Sequence, residues 1–150
     1  MRIQSGFTLI ELMMALVVVA ILTAIALPSY TKYIIRGKVP DATSNLATKR
    51  VQMEQWYQDN RTYGANTAGV AAPACVTDTT SSKNFDFSCV ISAAGDTYVM
   101  TATGKGSMAG FSYTVNQANV KTSAFTSSAP AGWVAATPNN CWVTNVGGAC

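Results

Sequence analysis

The chain has no histidine at all. That excludes the Ser-His-Asp and Cys-His arrangements that activate a nucleophile. Its seven acidic residues are scattered, so no carboxylate pair for general acid–base work stands out. None of them follows Asp96, and the chain beyond that point offers no acidic ligands to a calcium ion. Only 11% of the residues are charged, and the net charge of +3 is a weak electrostatic footprint for nucleic acid. The four cysteines form no CxxC, and their spacing suits a zinc site badly. No GxxxxGK loop cradles a phosphate; Gly104-Lys105-Gly106 lacks that spacing and reads as a hairpin turn. These absences point away from an enzyme and from any metal or cofactor.

What the chain does contain is a long apolar run, Phe7 to Leu27, interrupted by one ionisable side chain, Glu11. At about 1.5 Å per residue the run makes a helix of roughly 30 Å, enough to cross a bilayer core. A carboxylate in such a segment is costly and reads as functional, with a partner to be identified. A short polar leader, Met1–Gly6, carries Arg2 and ends in a small residue placed before the apolar run. A secretory signal has its cleavage site after the apolar core. Cutting after Gly6 keeps the helix and creates an α-amine on Phe7, one turn from Glu11. The amine of one copy and the carboxylate of a neighbour then neutralise each other and set the register between chains.

The segment GFTLIELMMALVVVAILTAIALPSY resembles the class III signal of type IV prepilins. The resemblance implies cleavage between Gly6 and Phe7 by a membrane peptidase, N-methylation of Phe7, and a role for Glu11 in assembly. It also implies the type IV pilin fold: α+β, a long N-terminal helix with its apolar half protruding, packed on a roughly four-stranded antiparallel sheet. Residues 1–6 are then the leader, 7–34 the transmembrane and assembly helix, and 35–150 the globular head. The stretch VQMEQWYQDNRTYG and the Lys105/Gly106 hairpin resemble PilE-type minor pilins more than major ones.

The four cysteines, Cys75, Cys89, Cys141 and Cys150, suggest two disulfides in an exported domain. Three pairings are possible. Cys75–Cys89 and Cys141–Cys150 close the shortest loops, and the second fits the disulfide-bounded C-terminal loop that the resemblance implies. Counting Lys32, Arg36 and Lys38 against Arg2 would put the head in the cytoplasm. The oxidising environment that the cysteines ask for, and the prepilin signal, argue instead for N-in, C-out.

Along the head, Pro28 predicts a helix kink, and Gly37 with Pro40 predicts a soft joint before helix resumes from Asp41 to about Asn60. Ala42, Leu46, Met53 and Tyr57 form the apolar stripe of that helix, joined by Val39; Lys49, Arg50, Glu54, Gln55 and Asp59 take polar angles. A connecting loop runs to about Asn84, which the resemblance places on the filament surface. Strand patterns follow at Phe85–Ile91, Tyr98–Thr103 and Phe111–Asn116. Val120, Thr122 and Ala124 mark a weaker fourth strand, and the sheet ends near Phe125. Residues 126–150 form a C-terminal disulfide region with Trp133 and Trp142 as packing anchors.

Taken together, these features predict a structural subunit of a type IV pilus, held in the inner membrane of a Gram-negative bacterium and then moved into the extracellular fibre. Its expected partners are other pilin subunits, the prepilin peptidase and methylase, and the pilus assembly platform. Twitching, adhesion and DNA uptake are the expected uses of the fibre. One alternative is a DNA-binding competence pilin, using Lys49, Arg50, Lys83 and Lys105, with Arg61 and Lys121 beside them. Another is a pseudopilin of a type II secretion system; the missing acidic residues after Asp96 argue against its calcium-binding version.

Overall fold

The computed structural model describes residues 6–25 and 30–150, and the backbone of 26–29 within the first helix. The chain separates into two units, one ending at Ile34 and the other running from Ile35 to Cys150. A single helix, α1 (Leu9–Asn60), passes through both.

In the first unit every described side chain from Phe7 to Ile25 is exposed, and nearly all are apolar. This part of α1 is long and apolar enough to cross a membrane. It lacks Gly and Pro and keeps its backbone hydrogen bonds internal, as an apolar medium requires. The backbone of α1 continues as helix through Pro28, and the leader residues 1–5 lie outside the described residues.

In the second unit Ile35, Val39, Ala42, Leu46 and Met53 are buried along one stripe of α1. The stripe meets a sheet of four strands: β1 (Phe85–Ile91), β2 (Tyr98–Gly104), β3 (Phe111–Asn116) and β4 (Lys121–Phe125). The strands form an antiparallel meander in the order β1-β2-β3-β4. Its inner face places Phe85 and Phe87 beside Tyr98, Met100 and Ala102, then Phe111, Tyr113 and Val115, all nearly inaccessible. The alternation of burial along β2 and β3 follows from the two-residue period of a half-buried strand.

The soft joint expected at Gly37 and Pro40 is absent: α1 runs through both without a break. Both residues are exposed, so the Arg36 carbonyl left without a proline donor can be hydrated, while Ile35, Val39 and Ala42 anchor the flanking turns. Tyr57 does not continue the core stripe; it is 37% exposed and packs on the Tyr63 ring (centroids 4.6 Å), while Trp56 packs against the core.

The fourth strand starts one residue later than expected. Tyr113 pairs with Ser123 and Phe111 with Phe125, which sets Ser123 in the core and turns Thr122 and Ala124 to the other face. A one-residue slip exchanges the faces of a strand. Ser123 is tolerated inside because its hydroxyl donates to the Cys141 carbonyl (3.0 Å) and accepts from the Val143 amide (2.8 Å). The β2–β3 turn is also longer than Gly104-Lys105-Gly106. It runs to Gly110 and inserts the buried Met108 beneath itself. Gly104 is required there: a Cβ would overlap the Met108 carbonyl oxygen.

The connecting segment from 61 to 84 is not featureless. It contains a short 3-10 turn at Pro73–Cys75, and Asp78 and Phe87 exchange backbone hydrogen bonds of 2.9 and 2.8 Å across the edge of β1. Cys75 is bonded to Cys89 of β1, and Cys141 to Cys150 in the tail.

Candidate assembly site and basic rim

Thr8 caps the start of α1. Thr8 precedes the helix, its hydroxyl accepts the Glu11 amide (3.3 Å), and its carbonyl accepts the Leu12 amide (3.2 Å). Thr8 followed three residues later by Glu11 has the spacing of a capping box, but only the threonine half forms and the Glu11 carboxylate does not reach back to the Thr8 amide. The cap places Glu11 in the first turn, where a negative charge is favoured by the helix dipole. Between Leu9 and Ile25 the only other polar side chain is Thr23. Its hydroxyl is satisfied within the helix by the Val19 and Ala20 carbonyls, at 2.9 and 3.0 Å. Glu11 differs: its carboxylate has no hydrogen-bond or ion-pair partner among the described residues. Along this exposed apolar rod it is the one group that asks for an external partner.

The basic residues singled out in the sequence fall into two groups. Lys49 reaches Asp78 (3.2 Å) and lies 5.6 Å from the centre of the Phe87 ring. Lys105 donates to Asp86 (2.6 Å) and to the Thr79 carbonyl (2.7 Å). Asp78 and Thr79 belong to one short segment, 78–84, which also carries the exposed Lys83. Lys38, not singled out for binding in the sequence, donates to Ser107 (2.6 Å) in the turn that holds Lys105. Four lysines thus border segment 78–84 and the β2–β3 turn, two of them neutralised by aspartates.

The other candidates are engaged elsewhere. Lys121 sits over the Trp142 ring at 4.6 Å. The charge of Arg50 is felt at Tyr63 and Tyr98, and its buried Nε has no hydrogen-bond partner. Arg61 is exposed just past the end of α1.

Segment 78–84 is held firmly. Asp78 accepts from the Ser81 hydroxyl (2.6 Å) and from the Ser81 and Thr80 amides (3.0 and 3.2 Å). These bonds, the Ser81 hydroxyl foremost and the Lys49 ammonium after them, hold the Asp78 carboxyl well below the usual carboxylate range. At the other end Asp41 of α1 accepts from the Ser82 hydroxyl (2.6 Å) and from the side-chain amide Nδ2 of Asn84 (2.9 Å). Sequence reasoning missed this tether; the Ser/Asn-rich stretch opposite a helical aspartate was its only signal. It also missed the role of Glu54, which accepts the hydroxyls of Tyr63 and Tyr98, both at 3.0 Å. Burial, then the hydrogen bond to Glu54, pushes the Tyr63 hydroxyl up to about 12.

A long helix with an exposed apolar start, a lone unpaired carboxylate in its first turn, and a four-stranded meander over its second half define a type IV pilin. The comparisons with known proteins agree. The model of the prokaryotic N-terminal methylation motif matches residues 1–27. The model described as type IV minor pilin ComP, DNA uptake sequence receptor, matches residues 28–112, more than half of the chain. The chain belongs to that family.

Among similar proteins, fimbrial protein EcpC of Eikenella corrodens is 36% identical over 104 residues, covering 69% of this chain and 65% of that protein. Type IV major pilin protein PilE1 of Neisseria gonorrhoeae is 40% identical over 73 residues, covering 48% and 34%. The chain spans less than two thirds of either relative. The crystal structure of the Neisseria meningitidis non-core minor pilin PilV shares the fold, with a TM-score of 0.52 at 13% identity over 69% of this chain and 99% of that one.

Proposed function

We propose that this chain is a structural subunit of a type IV pilus. In this reading 1–6 is a leader removed between Gly6 and Phe7 by a prepilin peptidase that also methylates Phe7. Residues 7–34 hold the subunit in the inner membrane, N-in and C-out, until the assembly platform moves it into the fibre. There the apolar helices of neighbouring copies replace lipid around one another, and burial of that surface drives the bundle outside the membrane. The Phe7 amine of one subunit meets Glu11 of the next. Head residues 35–150 coat the outside.

The observation that carries this reading is the contrast inside α1: Thr23 is satisfied by its own helix and Glu11 is not. The test is Glu11→Val. Processing at Gly6 and membrane insertion should be unchanged, while the subunit disappears from sheared surface fibres. Recovery of the variant in fibres at the wild-type level refutes the pairing. Mass and N-terminal sequence of the fibre protein check cleavage and methylation directly.

A second reading, DNA capture during uptake, is favoured by the family description and by the lysines gathered around segment 78–84. Phosphate contacts make such binding fall steeply with salt. In gel retardation with the full processed chain in detergent, Lys83→Ala with Lys38→Ala should weaken binding and flatten the salt slope by about two. No retardation at low salt excludes this reading and leaves the pilus subunit intact.

A further inference from the structure

The outer face of α1 near its C-terminus borders a groove that the assembly and DNA readings leave unused. Gln52, Gln55, Trp56 and Asp59, spaced three and four residues apart, form one wall, and Pro73 and Ala74 form the other. The groove has a volume of about 370 Å³, at the small end of the range for small-molecule sites. From this lining we infer a carbohydrate site that takes a single hexopyranose unit, neutral or N-acetylated, from a surface glycan.

Three features select that ligand. First, the Trp56 indole is fixed: its N–H donates to the Gly64 carbonyl (3.0 Å), and the ring packs against the core. A fixed aromatic surface suits the C–H face of a pyranose. Second, the side chains of Gln52, Gln55 and Asp59 are exposed and make no hydrogen bond to the rest of the described chain. Two amides and a carboxylate supply donors and acceptors together, as a rim of sugar hydroxyls demands. An apolar peptide would strip water from these groups without replacing it.

Third, the charge is wrong for phosphate. No lysine or arginine lines the groove, Asp59 is anionic, and the last turn of α1 carries no basic residue to offset its carbonyl end. The site is therefore distinct in chemistry from the lysine-bordered segment 78–84.

The test uses the full processed chain in a non-glycosidic detergent. Galactose, N-acetylglucosamine and lactose are titrated, with saturation-transfer NMR reading which ligand protons touch the protein. Saturable binding is expected, with the protons of one pyranose face saturated most strongly. Gln55→Ala combined with Asp59→Ala should weaken it about tenfold, the equivalent of one hydrogen bond to a charged group. Both side chains are exposed, and an unchanged circular dichroism spectrum confirms that the variant folds. Lys83→Ala should leave sugar binding unaltered. Absence of saturable binding by all three sugars overturns the assignment. So does an undiminished affinity in the double variant, or tighter binding of tetramethylammonium than of any sugar, which would mark a cation cage instead.

Discussion

Replacing Glu54 with alanine should destabilise the head far more than a polar residue on a helix normally does. The Tyr98 hydroxyl donates to one carboxylate oxygen and the Tyr63 hydroxyl to the other, both at 3.0 Å. The two rings lie edge to face with centroids 4.7 Å apart. Tyr98 is 1% exposed and Tyr63 6%, so neither hydroxyl can readily turn to bulk water. Two hydrogen bonds to a charged acceptor are worth about 3–6 kcal/mol together. Glu54 is itself only half-buried, and water entering the vacated space recovers part of that. A loss of about 2–4 kcal/mol remains, a fall in Tm of roughly 10 °C for a domain of this size.

Glu54→Gln keeps an acceptor and should lose only about 1 kcal/mol. The assay is thermal and denaturant unfolding of the full processed chain in detergent, with a double-mutant cycle against Tyr98→Phe. A coupling of about 1–2 kcal/mol is expected. The same cluster predicts alkaline behaviour. Tyr63 titrates at about 12 in the fold and near 10 when unfolded, so the stability it contributes is complete below pH 10 and is lost as pH rises toward 12. In Glu54→Ala that loss should begin from a lower base, and Tyr63 should titrate closer to its ordinary value. A stability change under about 0.5 kcal/mol in Glu54→Ala, with no coupling to Tyr98, would refute the reasoning.

Two further perturbations probe the segment beside the lysines and the turn that holds Lys105. Because the Asp78 carboxyl is held below the usual range, the order it gives segment 78–84 should be complete above about pH 4 and decline as pH falls below that value. Amide exchange at Thr80 and Ser81 across an acid titration measures this, and Asp78→Asn should remove the pH dependence. Gly104→Ala should destabilise by about 1–3 kcal/mol, since its Cβ meets backbone rather than a flexible side chain; equilibrium unfolding should show it, whereas Gly37→Ala, facing open space on a helix, should stabilise slightly.

The strand periods at Tyr98–Thr103 and Phe111–Asn116, the apolar rod and Glu11 were legible in the sequence because each is a local pattern. Alternation or unbroken hydrophobicity over a few turns reports directly on which surface a segment must hide. The helix across Gly37 and Pro40 was not legible. Local propensity favours a break there, and only the buried contacts of Ile35, Val39 and Ala42 outweigh it.

The face of β4 was hidden for a related reason. Val120, Thr122 and Ala124 look like the more apolar set, yet pairing with β3 and the bonds from the C-terminal tail bring Ser123 inside. Glu54 reads as a surface residue until Tyr63 and Tyr98 arrive from nine and forty-four residues away. The lysines bordering segment 78–84 likewise come from separate stretches of chain, joined by Asp78, Thr79 and Ser107. Local patterning sufficed for the membrane-length helix, its lone carboxylate and the number of strands, since each costs free energy locally if its pattern is ignored. Tertiary structure alone decided which polar groups are buried in pairs and which cations meet, because hydrogen bonds and charges between distant residues leave no period in the chain.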